Sequence, residues 1–285
     1  MFLAEPPSTA YDLRFQLLGI GVRVTPFFWL VAALLGWDFA SHLDAAMREI
    51  AAAGGRTELA RIAASNPGQG MLLLLWIAAV FVATLVHELG HAVVMRRYGM
   101  ACRVVLYHFG GLAIPEGSGS LAAFRGSSRP GQRIAISAAG PLAELALAGA
   151  LVAGLRLSGS AILFELPWLD SVLPLTKGRQ IPSLPLQAGV YFLLLPCVFW
   201  ALINLLPVHP LDGGHIAREL LTLWSPRGGV RNSLILSVAA GAGVAIYALA
   251  SQNIFLFLFF GSLAYSSYQV LQAYYGGGGW GGRSW

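Results

Sequence analysis

Six long apolar runs constrain the possible folds of this chain more than any other feature. Each is close to the roughly 20 residues that an α-helix needs to cross a bilayer. Only 11% of the residues are charged and 56% are hydrophobic, whereas a soluble domain has about 25% charged residues, so lipid must replace water around most of the chain. The sequence therefore predicts an all-α polytopic membrane protein with about six transmembrane helices, near residues 25–41, 71–95, 134–157, 186–206, 234–251 and 254–271.

Two connecting segments carry local structure of their own. Residues 42–68 predict a short amphipathic helix that ends at Gly54–Gly55, followed by a second turn. Residues 101–119, which follow the second apolar run, combine β-branched and aromatic residues around Gly110–Gly111. This composition predicts a short β segment after the second transmembrane helix.

The remaining segments are too short for a separate soluble domain. Only Gln252 and Asn253 separate the last two runs, which suits a tight helical hairpin, with a single re-entrant pair as the alternative. We expect one transmembrane domain over residues 1–275. The glycine-rich end of the chain, residues 276–285, predicts a flexible tail.

The distribution of basic residues predicts the orientation in the membrane. If all six runs cross it, the loops on one side hold 12 of the 18 Lys and Arg residues and those on the other side hold 6. Cytoplasmic loops carry the excess of basic residues, so both termini are expected in the cytoplasm. This topology explains the net charge of +5. Because the basic residues form no stripe, no nucleic-acid partner is expected.

The sequence HELGH, at residues 87–91, lies inside the second apolar run. Residues four apart stack on one face of a helix, so His87 and His91 can reach one metal ion with Glu88 beside it. Two imidazoles and an open position that holds water are typical of catalytic zinc, with a nearby carboxylate to take the water's proton. Ionisable groups in a membrane helix are costly and by default functional. The motif predicts one Zn²⁺ per chain with Glu88 as base; hydrogen-bonded core histidines are the alternative.

Two histidines leave a protein ligand missing, and Asp212 is the strongest candidate. It lies in NLLPVHPLDGGH, residues 204–215, at the end of the fourth run. The prolines break the helix and the glycine pair allows close backbone approach, which is tolerated at membrane depth only where the chain is buried or lines a wet cavity. A helix cap is the alternative role for Asp212. Loop or helix-terminal positions explain the other candidate histidines, His108, His209 and His215, better than metal binding does.

These motifs together resemble the site-2 protease family of intramembrane zinc metalloproteases. The resemblance spans roughly residues 81–215 and rests on HELGH, on the glycine pair of the β segment, on AGPLA at residues 139–143 and on NLLPVHPLDGG. Members often carry an inserted PDZ domain or appended CBS domains, and the loops here have no room for either. The chain therefore resembles a minimal catalytic core.

The resemblance implies an intramembrane zinc metalloprotease that hydrolyses peptide bonds within or near transmembrane segments of other membrane proteins. It implies that His87, His91 and Asp212 bind Zn²⁺ and that Glu88 is the catalytic base. The expected partners are the lipid bilayer and a membrane-protein substrate with a transmembrane helix. The expected location is the inner membrane of a bacterial cell.

Glu144 departs from the family pattern, which usually has Asn at this position, three residues after the proline of the third-helix motif. Two interpretations stay open: Glu144 contacts the substrate or the oxyanion, or it pairs with an arginine or extends toward the membrane interface. As a buried anion it could also take the water's place on zinc. A catalytically silent homologue that binds membrane proteins is therefore the alternative function. A metal carrier is disfavoured, because an adjacent base without a second charged relay suits ion release poorly.

Three further residues are candidates for binding the substrate or the oxyanion. Asn204 could hold the substrate or orient a neighbouring group, with helix-end capping as the alternative. Gly110 and Gly111 belong to the predicted β segment. A cleavable peptide bond must be unfolded from its helix, and residues 104–113 could capture an extended peptide by adding a strand.

Overall fold

The computed structural model describes residues 5–55, 57–108, 110–116, 129–166 and 174–276. Most of these residues are helical. Apart from Gly276, the tail predicted over residues 276–285 lies outside them. The helices are α1 (Pro26–Ala53), α2 (Glu58–Ala64), α3 (Gln69–Arg97), α4 (Pro130–Leu157), α5 (Leu184–Asn204), α6 (Asp212–Trp224), α7 (Gly229–Ala250) and α8 (Ile254–Gly276).

Six of these helices, α1, α3, α4, α5, α7 and α8, are long and apolar enough to cross a membrane. Their outer faces carry large exposed apolar side chains, among them Leu34, Ile246 and Leu258. Apolar patches of this extent are rare on soluble monomers, whereas lipid solvates them. The chain is therefore a multi-pass membrane protein, and the predicted number of spans is confirmed.

The first span is longer than the sequence suggested. No break separates residues 25–41 from the amphipathic segment, because α1 runs without interruption from Pro26 to Ala53. It ends at Gly54, which adopts a φ of 67°. Glycine accommodates this left-handed conformation without the steric penalty of a β-carbon. The predicted end at Gly54–Gly55 is confirmed, but the separate helix from residue 42 is wrong, since nothing between those residues breaks a helix.

A four-stranded sheet accompanies the helices, in the order β1 (Leu13–Leu17), β2 (Ile20–Val24), β3 (Cys102–Tyr107) and β4 (Gly110–Pro115). Strands β3 and β4 are the predicted β segment after the second span, which is confirmed. The hairpin of β1 and β2 was not predicted. Strand β2 pairs with β3 in parallel, with Val24 opposite Leu106. A second, two-stranded sheet joins β5 (Ser160–Ala161) to β6 (Arg179–Gln180).

Arg23 ties the N-terminal segment to the larger sheet. This buried guanidinium donates hydrogen bonds to Asp12 Oδ2 at 3.1 Å, to Glu5 Oε1 at 3.0 Å and to the carbonyl of Pro6 at 2.8 Å. Arg103 on β3 donates to the other oxygen of Glu5 at 2.6 Å. Hydrogen bonds from Thr9, together with Arg23, lower the pKa of Asp12. Two of the basic residues that indicated topology thus also hold the sheet together.

Contacts between Cα atoms divide the chain into two compact units, with one boundary inside α3 between Leu89 and Gly90. The first unit comprises residues 1–89, 103–113 and 143–199, and the second comprises 90–102, 114–142 and 200–285. An apolar cluster in the first unit packs α3 against α4 and α5. In the second unit, α7 packs against α6 and α8. The single domain expected over residues 1–275 stays a prediction.

Gly36 lets α1 approach α3 closely, because a β-carbon there would meet the indole ring of Trp76. The indole Nε1 of Trp76 also donates a hydrogen bond to the carbonyl of Ala32 at 3.0 Å. The ring packs against Phe39 and Phe192, with centroids 5.7 and 5.6 Å away. The indole therefore has little freedom to move aside.

We expect Gly36→Ala to destabilise the protein by about 1–3 kcal/mol, the usual cost of overpacking a well-packed site. Gly149→Ala is the matched control, because a β-carbon at Gly149 in α4 meets nothing within 4 Å. Thermal unfolding of the two variants in detergent measures the difference. A midpoint for Gly36→Ala at or above that of Gly149→Ala would contradict close packing at this position.

Candidate metal centre

Helix α3 carries the HELGH motif in one uninterrupted stretch, so the predicted spacing of one turn between the two histidines is present. The side chains of His87, Glu88 and His91 are all buried. Ala83 and Ala92, nearby on the same helix, are fully buried and small, so other elements can pack close to α3. Three ionisable groups are therefore held away from water within a membrane-spanning helix.

Asp212 faces His91 in the second unit. The distance from Asp212 Oδ2 to His91 Nε2 is 3.4 Å. Two ligands of a tetrahedral zinc ion, each about 2.0–2.1 Å from the metal, lie roughly 3.3 Å apart. The spacing of these two donors therefore fits two ligands of a single metal ion.

The other ring nitrogen of each histidine is bound to an acceptor. In the second unit, His91 Nδ1 lies 2.7 Å from the carbonyl oxygen of Ile136. In the first unit, His87 Nδ1 lies 2.9 Å from Glu144 Oε2. A carbonyl oxygen can only accept, so His91 Nδ1 carries the proton, and a carboxylate imposes the same tautomer on His87. In a neutral imidazole with this tautomer Nε2 is unprotonated, the state that a metal ligand requires.

Glu144 makes a contact that neither interpretation from the sequence included. The residue is only 1% exposed, and its Oε2 lies at hydrogen-bond distance from His87 Nδ1. Its role toward a substrate or an oxyanion stays a prediction. The residue lies in α4, three positions after the internal proline Pro141. A carboxylate that accepts from the Nδ1 of a ligand histidine fixes the ring and raises its basicity as a ligand.

Asp212 is the first residue of α6, and the N-cap is Leu211, which makes no side-chain capping bond. The helix cap considered as an alternative for Asp212 is therefore wrong. Close backbone approach at the glycine pair is confirmed. A β-carbon on Gly213 would meet the carbonyl group of Leu205, and one on Gly214 would lie 2.6 Å from the backbone nitrogen of His209.

Two further candidates, Gly110 and Gly111, lie on β4. A β-carbon on Gly111 would overlap the Glu88 side chain, so only glycine fits without displacing that carboxylate. Gly110 has a φ of 120°, which favours glycine. The close contact with Glu88 at Gly111 and the positive φ at Gly110 thus each explain why the residue is glycine. Their role toward a substrate or an oxyanion stays a prediction.

Tyr107, at the end of β3, is a residue that the sequence did not single out. Its phenol is buried, and burial together with the charge of nearby Glu88 raises its pKa to about 12. It therefore remains a protonated hydrogen-bond donor at neutral pH. The sequence offered no signal for Tyr107, because an aromatic residue is common in an apolar strand.

The remaining candidates are Asn204 and three histidines. Asn204 is the half-buried last residue of α5, and its predicted role stays untested. His209 and His215 pack against each other edge to face, with ring centroids 5.4 Å apart. The ring of His108 packs against that of Tyr107. Among the described residues, none of these histidines joins the group that could bind a metal.

Comparison with known proteins identifies a family and several relatives. The family model described as "Peptidase family M50" matches residues 75–250. "Putative zinc metalloprotease sll0528" of Synechocystis sp. is 27% identical over 237 residues, 82% of this chain and 50% of that protein. "Putative zinc metalloprotease Rip3" of Mycobacterium tuberculosis is 34% identical over 175 residues, 58% of this chain and 35% of that protein. The chain thus spans half or less of the length of these relatives.

Among solved structures, the chain is similar to the "Site-2 Protease from Methanocaldococcus jannaschii". The superposition has a TM-score of 0.45 and 21% sequence identity, and it covers 92% of this chain and 95% of that one.

The contact between Glu144 and His87 generates a prediction about metal affinity. Glu144→Ala removes the acceptor for His87 Nδ1 and should weaken zinc binding by about 10–100-fold, the usual effect of losing such a partner. Glu144→Gln keeps an oxygen that can accept the same hydrogen bond and should bind zinc more tightly than the alanine variant. Competition with a zinc-sensitive chelator measures both.

Asp212→Ala is the reference for loss of a direct ligand and should bind zinc more weakly than either Glu144 variant. Zinc affinity equal to wild type in Glu144→Ala would show that His87 does not need this carboxylate. Affinity equal to wild type in Asp212→Ala would place the third ligand at another residue.

Proposed function

Because the chain belongs to peptidase family M50, the site-2 protease family, we propose that it is a zinc endopeptidase that cuts peptide bonds within or near transmembrane segments of other membrane proteins. The observation that carries the proposal is the arrangement in α3, where two buried histidines one turn apart each face a hydrogen-bond acceptor with Nδ1, beside the buried carboxylate of Glu88. Asp212 Oδ2 faces His91 Nε2 at 3.4 Å. Family membership implies zinc as the metal.

Zinc held by His87, His91 and Asp212 would act as a Lewis acid toward the peptide carbonyl and would lower the pKa of a bound water to about 7. A carboxylate oxygen of Glu88 then accepts a proton from the attacking water and delivers it to the leaving amide nitrogen. Glu144 and the Ile136 carbonyl keep the two imidazole rings in one tautomer and one orientation.

The substrate must present an extended backbone, because a helix buries each peptide carbonyl in its own hydrogen bonds. Among the described strands, β4 is one of the two edge strands of the four-stranded sheet. A peptide that adds to it as a further strand gains backbone hydrogen bonds in place of those of its helix. Gly111 of β4 lies against Glu88, so this added strand would run past the base. We assign substrate binding at Gly110 and Gly111 on this ground.

We further propose that both termini are cytoplasmic and that the site lies nearer the cytoplasmic face of a bacterial inner membrane. The support is the excess of basic residues on that side of the predicted topology. His87 precedes Arg96 by nine residues, which is about 13 Å along a helix. Arg96 and Arg97 form the exposed, basic last turn of α3.

The catalytically silent alternative depended on Glu144 occupying the position of the water. Its Oε2 instead lies at hydrogen-bond distance from His87 Nδ1, the ring nitrogen opposite the predicted metal-binding Nε2. An acceptor in that position supports metal binding. No observation on the described residues favours the silent homologue.

We expect Glu88→Gln to retain zinc and to lose cleavage by about 10²–10⁴-fold, because it removes a general base and no metal ligand. The measurement compares membrane-protein fragments, identified by mass spectrometry, in cells that carry wild type or Glu88→Gln. Zinc content of both purified proteins is the control. The same fragments at the same abundance in both cells would contradict the proposed mechanism.

Gly111→Ala tests whether β4 must lie close to Glu88. The added methyl group would displace the carboxylate, and a misplacement of about 1 Å can cost roughly 10²-fold in rate. We expect that loss in cleavage of any substrate identified with the Glu88 variant, with zinc affinity unchanged. Gly21→Ala, on β2 of the same sheet with nothing within 4 Å of the new atom, should cleave like wild type. Equal rates for both alanine variants would refute the close approach.

A further inference from the structure

Two serine hydroxyls bind the backbone of the loop that carries Asp212. This loop, residues 205–211, connects α5 to α6. Ser237 Oγ of α7 accepts a hydrogen bond from the backbone N–H of His209 at 2.9 Å and donates to the carbonyl of Pro207 at 3.3 Å. Ser267 Oγ of α8 donates to the carbonyl of His209 at 3.2 Å. The peptide groups on both sides of His209 are thus held by side chains from two different helices.

These two hydroxyls differ from those of Ser233 and Ser262 in the same helices. A serine in a helix commonly bonds to a carbonyl three or four residues earlier. Ser233 of α7 and Ser262 of α8 do so, each at 2.7 Å, with Val230 and Phe259 as acceptors. The bonds that the structure gives for Ser237 and Ser267 lead out of their helices to the loop. Ser237 is 2% exposed and Ser267 is fully buried.

The loop binds an external partner at His209. The backbone N–H groups of Leu206, Val208 and Leu211 donate to backbone carbonyls of α5 or of the loop itself, whereas that of His209 donates to Ser237 Oγ. Pro207 and Pro210 have no backbone N–H, and backbone polar groups within a membrane protein must be satisfied by other protein groups. The N-cap residue of α6, Leu211, makes no side-chain capping bond. The two serines therefore satisfy polar groups of the loop at a point three residues before Asp212.

We propose that Ser237 and Ser267 are positioning residues for Asp212: by binding the backbone at His209, they hold the start of α6 where the Asp212 carboxylate faces His91 Nε2. A metal site tolerates errors of only about 0.5 Å in its ligands, so it depends on the groups that support them. The inference rests on the metal ligands of the proposed function. It extends the site to α8, beyond the residues matched by the family model.

The test measures zinc dissociation constants of the full chain in detergent by competition with a chelating dye. Ser237→Ala and Ser267→Ala should each weaken zinc binding by about 10-fold, at the low end of the range for supporting residues, and the double variant should weaken it further. Ser233→Ala and Ser262→Ala remove a hydroxyl that bonds within its own helix, in α7 and α8 respectively. These two controls should bind zinc within about twofold of wild type.

Thermal unfolding of the zinc-free proteins separates positioning from general stability. We expect Ser237→Ala to unfold near the midpoint of its control Ser233→Ala while binding zinc more weakly. The two serines lie in different helices, so each variant is an independent test. Unchanged zinc affinity in both variants, or an equal loss in the controls, would overturn the inference and leave the proposed function intact. A wild-type protein that binds no zinc would overturn both.

Discussion

The two histidines of α3 can hold a metal only if each keeps Nε2 unprotonated, and this depends on the acceptor that faces each Nδ1. In a soluble protein, water can serve as that acceptor. Within a membrane-spanning bundle the acceptor must come from the protein itself. The Ile136 carbonyl and the Glu144 carboxylate have this role, and both belong to α4. The cost of burying a glutamate in an apolar helix is offset by its bond to His87.

The same rule governs the segment that carries Asp212. A metal ligand at the start of α6 requires α5 to end nearby, which exposes backbone groups that lipid cannot satisfy. Gly213 and Gly214 let the new helix lie directly against the preceding loop. The hydroxyls of Ser237 and Ser267 bind that loop from α7 and α8. Small residues and hydrogen-bonding side chains are the usual way in which membrane helices approach and hold one another.

Extended backbone near the site is stabilised by pairing within the sheet. The parallel pair of β2 and β3 lies inside the sheet, with β1 and β4 at its edges. Hydrogen bonds from Arg23 hold the segment that leads into β1. This arrangement leaves β4 at an edge with Gly111 against Glu88, which is the geometry that a protease needs if its substrate is to bind as an extended strand. The sheet thus complements the helices, which carry the proposed metal ligands and the proposed base.

The sequence by itself determined what depends on local spacing and composition. The six spans follow from apolar length, and the shared helical face of His87 and His91 follows from the period of one helix. The close approach at the glycine pair after Asp212 could also be predicted, because glycine has no β-carbon and proline cannot continue a helix. Even there, only the structure excluded the helix cap, because the N-cap of α6 is Leu211 and not Asp212.

Only the tertiary structure decided which distant groups meet. Glu144 contacts a histidine 57 residues earlier in the chain, a partner that neither interpretation of its sequence position included. The pairing of β2 with β3 joins Val24 to Leu106, and no local pattern marks a parallel partner so far along the chain. The acceptor for His91 is a backbone carbonyl, and the groups that hold the Asp212 loop are ordinary serines. Every residue has a carbonyl and many helices contain serine, so the sequence does not distinguish these groups from others of the same kind. Packing of the helices decides which of them comes within hydrogen-bond distance of the histidine or of the loop.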